Sequence, residues 1–322
     1  MYKFPLKKLI SPLLTLAVLA LFGIYLYNNP QIVETVINTP IIYILVISVF
    51  FLLLFLLEGI FIKITLKVFN KDIDIKESYF LSTISRIGNY LLPLRAGAIF
   101  RATYLKNKYQ FKYSKFLSTL YAYYILLFLI NALLALFTLS IKYLTQRAYY
   151  PLVTIFFLLL FVTTLTVVLF RKKIGIKKIK EFKLVKILNR FIVSWDTIIK
   201  KSNMFLLLLL ITFGNIFLNA LIYTVEFLSL GIKINILDII LYTCLSGVSL
   251  LISITPGSLG LREAVFLITS ESIGLQESQI MELALLDRGI LFILLLLLLI
   301  LILLFVRRFK LRDIFFAKED KE

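Results

Sequence analysis

The stretch "LLISITPGSLGLREAVFL", residues 250–267, is apolar at both ends and broken in the middle. Pro256, Gly257 and Gly260 interrupt what otherwise reads as a membrane helix, and the charged pair Arg262–Glu263 follows at once. Proline lacks an amide hydrogen and disrupts a helix, whereas glycine admits positive φ and close backbone approach. Backbone groups freed in this way are tolerated at membrane depth only inside protein or against a wet cavity. Whether the segment crosses the bilayer or turns back decides the orientation of everything around it.

The rest of the chain is as oily as these flanks. Of its 322 residues 61% are apolar, with a mean hydropathy of +0.97, and several runs suffice to cross a hydrocarbon core about 30 Å thick. Uninterrupted spans are expected near 9–27, 41–62, 116–140, 151–170, 204–230 and 284–306. The first has a signal-like start at Lys3, Lys7 and Lys8. It is long for a signal core and ends in "NNP" without a small-residue cleavage site, so it is expected to remain as a span. Two further segments, 78–104 and 238–269, carry Gly, Pro and Arg in their middles.

Lysine and arginine counts choose between crossing and returning, because cytoplasmic loops carry an excess of both. If all eight segments cross, with the N-terminus inside, the two sides hold 16 and 15 basic residues and show no bias. If only the first interrupted segment returns, the division is 22 against 9, with the basic C-terminus outside. If both return, it is 28 inside against 3 outside. The expected fold is therefore an all-α polytopic integral membrane bundle of six full spans plus two re-entrant hairpins, eight membrane segments in all. Both termini are cytoplasmic. Each half, 1–145 and 146–306, makes three crossings, an odd number, so the halves form an inverted repeat within one domain spanning 1–322. Such layouts place substrate between the broken elements.

Between the halves, Ile179, Phe182, Val185, Leu188, Ile192, Trp195 and Ile199 recur at steps of three and four. That pattern predicts an amphipathic cytoplasmic connector, 177–201, on the inner leaflet with Trp195 at headgroup depth. Residues 307–322 read as an anchor and solvated tail.

Absences narrow the chemistry. The chain has no histidine, which removes His bases and His metal ligands, and its single Cys244 can form no internal disulfide. The net charge of +18 follows from the loop bias and does not require nucleic acid. No nucleotide-binding motif is present, and no cofactor or metal is expected.

Both interrupted segments share a pattern, Pro-x3-Gly followed closely by arginine: "PLRAGAIFR" from Pro93 to Arg101, and "PGSLGLR" from Pro256 to Arg262. After each break a half-helix begins, and its first amides favour an anion. Arginine in a membrane interior costs at least about 2.5–3.5 kcal/mol and so has a partner or a task, while its planar fork matches phosphate oxygens. Arg95, Arg101 and Arg262 are thus candidate head-group ligands, with Glu263 either holding Arg262 or exchanging protons. Asn89, Pro93, Gly97, Pro256, Gly257 and Gly260 are the candidate hairpin backbone, Asn89 being placed to cap it. Glu58, Glu226 and the Asp287–Arg288 pair lie near expected span ends and read as interfacial ion pairs.

These residues carry a resemblance. "SRIGNYLLPLRAGAIFRATYL" and "TPGSLGLREAVFL" resemble the two signature regions of the flippase-like family, the transmembrane region of lysylphosphatidylglycerol synthases. Pro256, Gly257, Gly260, Arg262 and Glu263 match P-G-G-x-G-x-R-E, with Ser258 replacing the middle glycine. Asn89, Pro93, Arg95, Gly97 and Arg101 match N-x3-P-x-R-x-G-E-x2-R, with Ala98 where the family usually has glutamate. The resemblance implies a translocase for an anionic-headed membrane lipid, phospholipid or polyprenyl phosphate, in the cell (cytoplasmic) membrane. The soluble synthase domain is not expected here, and neither is aminoacyl transfer. Two other readings stand beside it: a membrane-embedded transferase acting on a lipid phosphate, and an accessory subunit of an envelope-biosynthesis glycosyltransferase. A transferase would want clustered acids or a general base. An accessory subunit would tolerate loss of its arginines.

Overall fold

A computed structural model describes residues 20, 23–92, 95–169, 193, 195–252 and 255–308. The described chain is helical. A short α1 (Pro30–Ile37) has its proline at the start, where the missing amide costs nothing, and it falls between the expected spans 9–27 and 41–62. Then come α2 (Ile41–Val68), α3 (Ile75–Leu91), α4 (Ala96–Tyr109), α5 (Tyr113–Gln146), α6 (Pro151–Leu169), α7 (Ser202–Ser229) and α8 (Ile236–Ser249). Short 3₁₀ turns at Leu250–Ile252 and Pro256–Ser258 lead to α9 (Leu261–Ile268), α10 (Ser270–Ile273) and α11 (Glu277–Arg308).

Among the described residues, five helices are long and apolar enough to cross a membrane: α2, α5, α6, α7 and α11. They coincide with five of the six expected uninterrupted spans; the sixth, 9–27, lies largely outside the described residues. The chain is therefore a multi-pass membrane protein. Lipid-facing surface accounts for the many exposed leucines, such as Leu206, Leu210, Leu297 and Leu304. In water such a surface would mark an interface or an aggregation hazard.

The centre of the bundle is α2, packed against α3 on one side and α7 on the other, while α5 packs against α6 and α8. Gly59 lets α3 come in close, since a Cβ there would stand 3.0 Å from the Tyr79 backbone. Ser82 Oγ then donates to the Phe55 carbonyl at 2.7 Å. The main core joins α2, α5, α7, α8 and α11 through Phe55, Ala132, Phe227, Tyr242 and Leu283.

Each interrupted segment folds into two helices lying side by side. In the first, Gly97 of α4 lies on Ser85 and Gly88 of α3, so near that a Cβ at Gly97 would overlap the Ser85 backbone. At the far end Glu77 accepts from Tyr104 (2.9 Å), Lys108 (2.9 Å) and Tyr109 (2.8 Å), so the chain leaves beside where it entered. In the second, the Tyr242 and Phe266 rings stack at 4.0 Å, and Lys142 Nζ donates both to Asp238 (2.5 Å) and to the Ser272 carbonyl (2.6 Å). One lysine thus joins the start of α8 to α10. The first pair opens near the beginning of α5, where Lys106 covers the Tyr113 ring, and the second opens near its end at Lys142.

Two expectations need correction. Trp195 does not face the lipid of the inner leaflet: it is 1% exposed, packed with Phe61, Ala122, Leu126, Ile198 and Leu208, because the protein core takes its ring before lipid can. Lys201 secures the same region by donating to the Val68 carbonyl at 2.8 Å. Most of the connector, 177–192, and the tail after 308 lie outside the described residues. Secondly, α11 starts seven residues before the expected span, placing Asp287 and Arg288 about 15 Å along the helix at 1.5 Å per residue. They are 5% and 8% exposed, inside the bundle rather than at an interface.

Candidate head-group site

The first break ends at Arg95, which takes a left-handed conformation (φ +54°) at the N-cap of α4. Such a conformation is uncommon outside Gly, Asn and Asp. Here it aims the guanidinium across the bundle, over the Tyr124 ring (4.7 Å) and onto the Leu250 carbonyl (2.6 Å) of the other interrupted segment. Asn89 Oδ1 accepts the Ala98 amide at 3.1 Å, an amide in the first turn of the new helix that it shares with the Arg95 carbonyl at 2.9 Å. Pro93 lies outside the described residues. Further along α4, Arg101 faces the Phe116 ring at 5.4 Å. Among the described residues neither Arg95 nor Arg101 has a carboxylate partner, whereas neighbouring Arg86 is ion-paired with Glu58.

The second break turns through Gly257 (φ +56°), Ser258 (φ +56°) and Gly260 (φ +79°). Ser258 occupies the left-handed region without being glycine. Thr255 Oγ1 donates to the Leu259 carbonyl at 2.7 Å, and the Gly260 amide donates to Glu263 at 2.8 Å, so the loop is closed by its own side chains. Two crossed ion pairs then tie α9 to α11. Arg262 binds Asp287 (2.5 Å), and Arg288 binds Glu263 (2.6 Å). Arg288 also donates to the Gly257 carbonyl (3.1 Å) and Ser258 carbonyl (3.4 Å), fixing the turn itself. Arg262 comes no nearer than 3.9 Å to Glu263, which chiefly holds Arg288 and the Gly260 amide. Asp287 and Arg288 do not pair with each other, contrary to the reading from sequence, because consecutive helical residues diverge by about 100°.

The two breaks meet. Tyr90 of the first donates to the Arg288 carbonyl at 3.1 Å, and its ring lies where a Cβ on Gly257 would fall (3.0 Å). Around this junction opens a cavity of ≈ 240 Å³. Arg95, Arg101, Arg262, Asn89 and Gly257 line it, while Gly97, Gly260 and Glu263 lie behind it as supports. Sequence reasoning did not single out Tyr123, Tyr124, Asn131, Asn215 and Asn219, which also line it. Three asparagines within apolar spans were the available signal. Glu58 and Arg86, too, border the cavity, and Glu226 is fully buried beside Asp287; none of these is interfacial. Tertiary packing moved all of them inward.

Charge on the cavity wall is uneven. Glu58 and Asp287 are spent on Arg86 and Arg262, and Glu263 neutralises Arg288 from behind. Among the described residues that leaves Arg95 and Arg101 as positive charge in excess. Among the described residues no three His, Cys, Asp or Glu side chains converge in a way that could hold a metal ion. The arrangement suits binding of an anion by fork-shaped donors in a partly apolar hollow.

The chain belongs to the lysylphosphatidylglycerol synthase TM region family, whose model matches residues 9–315, nearly its whole length. Comparison with curated proteins and with solved structures finds no match.

Proposed function

We propose, proceeding from that membership, that the protein is a transporter and not an enzyme, moving a lipid with an anionic head between leaflets of the cell membrane. The substrate would be a phospholipid or a polyprenyl phosphate. One observation carries the reading: Arg95 and Arg101 line a cavity inside a membrane bundle with no carboxylate to neutralise them among the described residues. Two guanidinium groups in such surroundings are costly unless an anion visits. The head group would occupy the cavity while the tails stay in the bilayer.

In this reading the two helix pairs are re-entrant hairpins dipping from opposite faces, the first from the cytoplasm. The halves 1–145 and 146–306 are inverted repeats that rock about the junction of Tyr90, Gly257 and Leu250, with both termini cytoplasmic. The opposite openings of the two pairs along α5 support this arrangement.

The test is leaflet exchange in vesicles containing the purified protein, wild type against Arg101→Ala. Exchange should fall about tenfold or more, the loss of one charge-assisted contact. Unchanged exchange defeats the reading. Arg101 is a cleaner probe than Arg262, because removing Arg262 also strands Asp287.

A further inference from the structure

Two side chains in this cavity offer acceptors as well as donors, and an anion takes up only the donors. Asn131 of α5 and Asn215 of α7 are each 1% exposed and line the cavity. Neither nitrogen nor oxygen of either amide finds a hydrogen-bond partner among the described residues. Asn219, one turn beyond Asn215, lines the cavity too and donates to the Asn215 carbonyl at 2.7 Å. Gly247 of α8 clears the space, since any Cβ there would run into the Asn131 amide.

An unpartnered buried polar group costs about 1–3 kcal/mol, so amides in this position normally meet water or a ligand. Water alone would need far less room: a cavity of ≈ 240 Å³ exceeds many-fold the ~10–15 Å³ that one molecule requires. The chemistry of the guest follows from the donors. An amide both donates and accepts, as does a hydroxyl. An ammonium group only donates, and here it would meet the excess charge of Arg95 and Arg101 with no unpaired carboxylate lining the wall among the described residues.

We propose that Asn131 and Asn215 form a neutral hydrogen-bonding subsite for the hydroxyls of a polyol or sugar, carried on the phosphodiester that Arg95 and Arg101 hold. This rests on the reading that the cavity admits a lipid head. It makes a hydroxylated head the favoured cargo and an aminoacylated one unfavoured.

Binding by purified protein in detergent provides the test, read as the shift in melting temperature with short-chain lipids. Dihexanoyl phosphatidylglycerol is compared with dihexanoyl phosphatidylethanol, which has the same charge and no head-group hydroxyl, and with the lysyl ester of the former. Wild type should prefer phosphatidylglycerol to phosphatidylethanol roughly tenfold, the worth of one or two net hydrogen bonds. Asn131→Leu/Asn215→Leu should bring the two within about twofold while the unliganded melting temperature holds or rises, because each leucine removes unpaired polar atoms. If the double variant does not fold, the single Asn215→Leu is read in the same way. A preference that survives the leucines, or tighter binding of the lysyl ester, overturns the proposal. Arg101→Ala should weaken phosphatidylglycerol and phosphatidylethanol equally, since both carry the same anionic phosphodiester. A hydroxyl preference abolished by leucine in a protein that exchanges no lipid would uphold the subsite and defeat transport.

Discussion

At the scale of single residues, the site is organised by which arginines are paired. Arg86, Arg262 and Arg288 each meet a carboxylate, and among the described residues Arg95 and Arg101 do not. The motif "GLRE" made Arg262 and Glu263 candidates for the head-group site, but both are engaged by α11, through two residues adjacent in sequence. A prediction follows for Glu263. Glu263→Gln leaves Arg288 buried without its counter-charge and loosens the Gly257–Ser258 turn it holds. The variant should lose about 3–5 kcal/mol of stability, visible as a lower melting temperature in detergent. A melting temperature equal to wild type would show that the Arg288 contact to the turn suffices alone.

Element-scale behaviour depends on how closely α3 and α4 approach. Gly97 admits the Ser85 backbone where any side chain would collide, and Gly88 faces it in turn. Gly97→Ala should force the pair apart at a cost of about 2 kcal/mol or more and lower transport by displacing Arg95 and Arg101 together. Normal melting and normal exchange in that variant would contradict the packing described. The open end of the pair is held by Glu77, whose carboxylate accepts from three side chains. Burial and this hydrogen bond push the Tyr109 hydroxyl up from its usual 10.0 to about 12. Because the folded value is the higher one, the contribution of Tyr109 is complete below pH 10 and lost as the pH climbs through about 12. Glu77→Gln should lower the midpoint of that alkaline transition, followed by tyrosinate absorbance. A midpoint unmoved by the change would remove Glu77 as its cause.

For the whole molecule, the question is which faces the two helix pairs open on. Cys244 is buried, and Cys244→Ser supplies a background free of thiols. Cysteines placed at the exposed positions Asp72 and Asn107 should both react with an impermeant reagent from the cytoplasmic side. Those at Lys233 and Gln276 should react only from the opposite side. Labelling of Asp72 and Asn107 from different sides would mean that the first pair crosses the bilayer, and the inverted arrangement would fail with it.

Sequence alone determined the class of this protein and the positions of its two breaks. Apolar length, proline, glycine and the placement of lysine are local properties, and a bilayer about 30 Å thick reads them almost directly. The candidate cavity ligands Arg95, Arg101 and Arg262 were visible for the same reason, since an arginine inside an oily run is conspicuous. Tertiary structure decided which of them stay unpaired, because pairing joins residues as far apart as Glu58 and Arg86 or Arg262 and Asp287. It also turned Trp195 into core and brought Asn131 and Asn215 into the lining of one cavity. No spacing within one helix can encode a contact between two, and the selectivity of a buried cavity depends on those contacts.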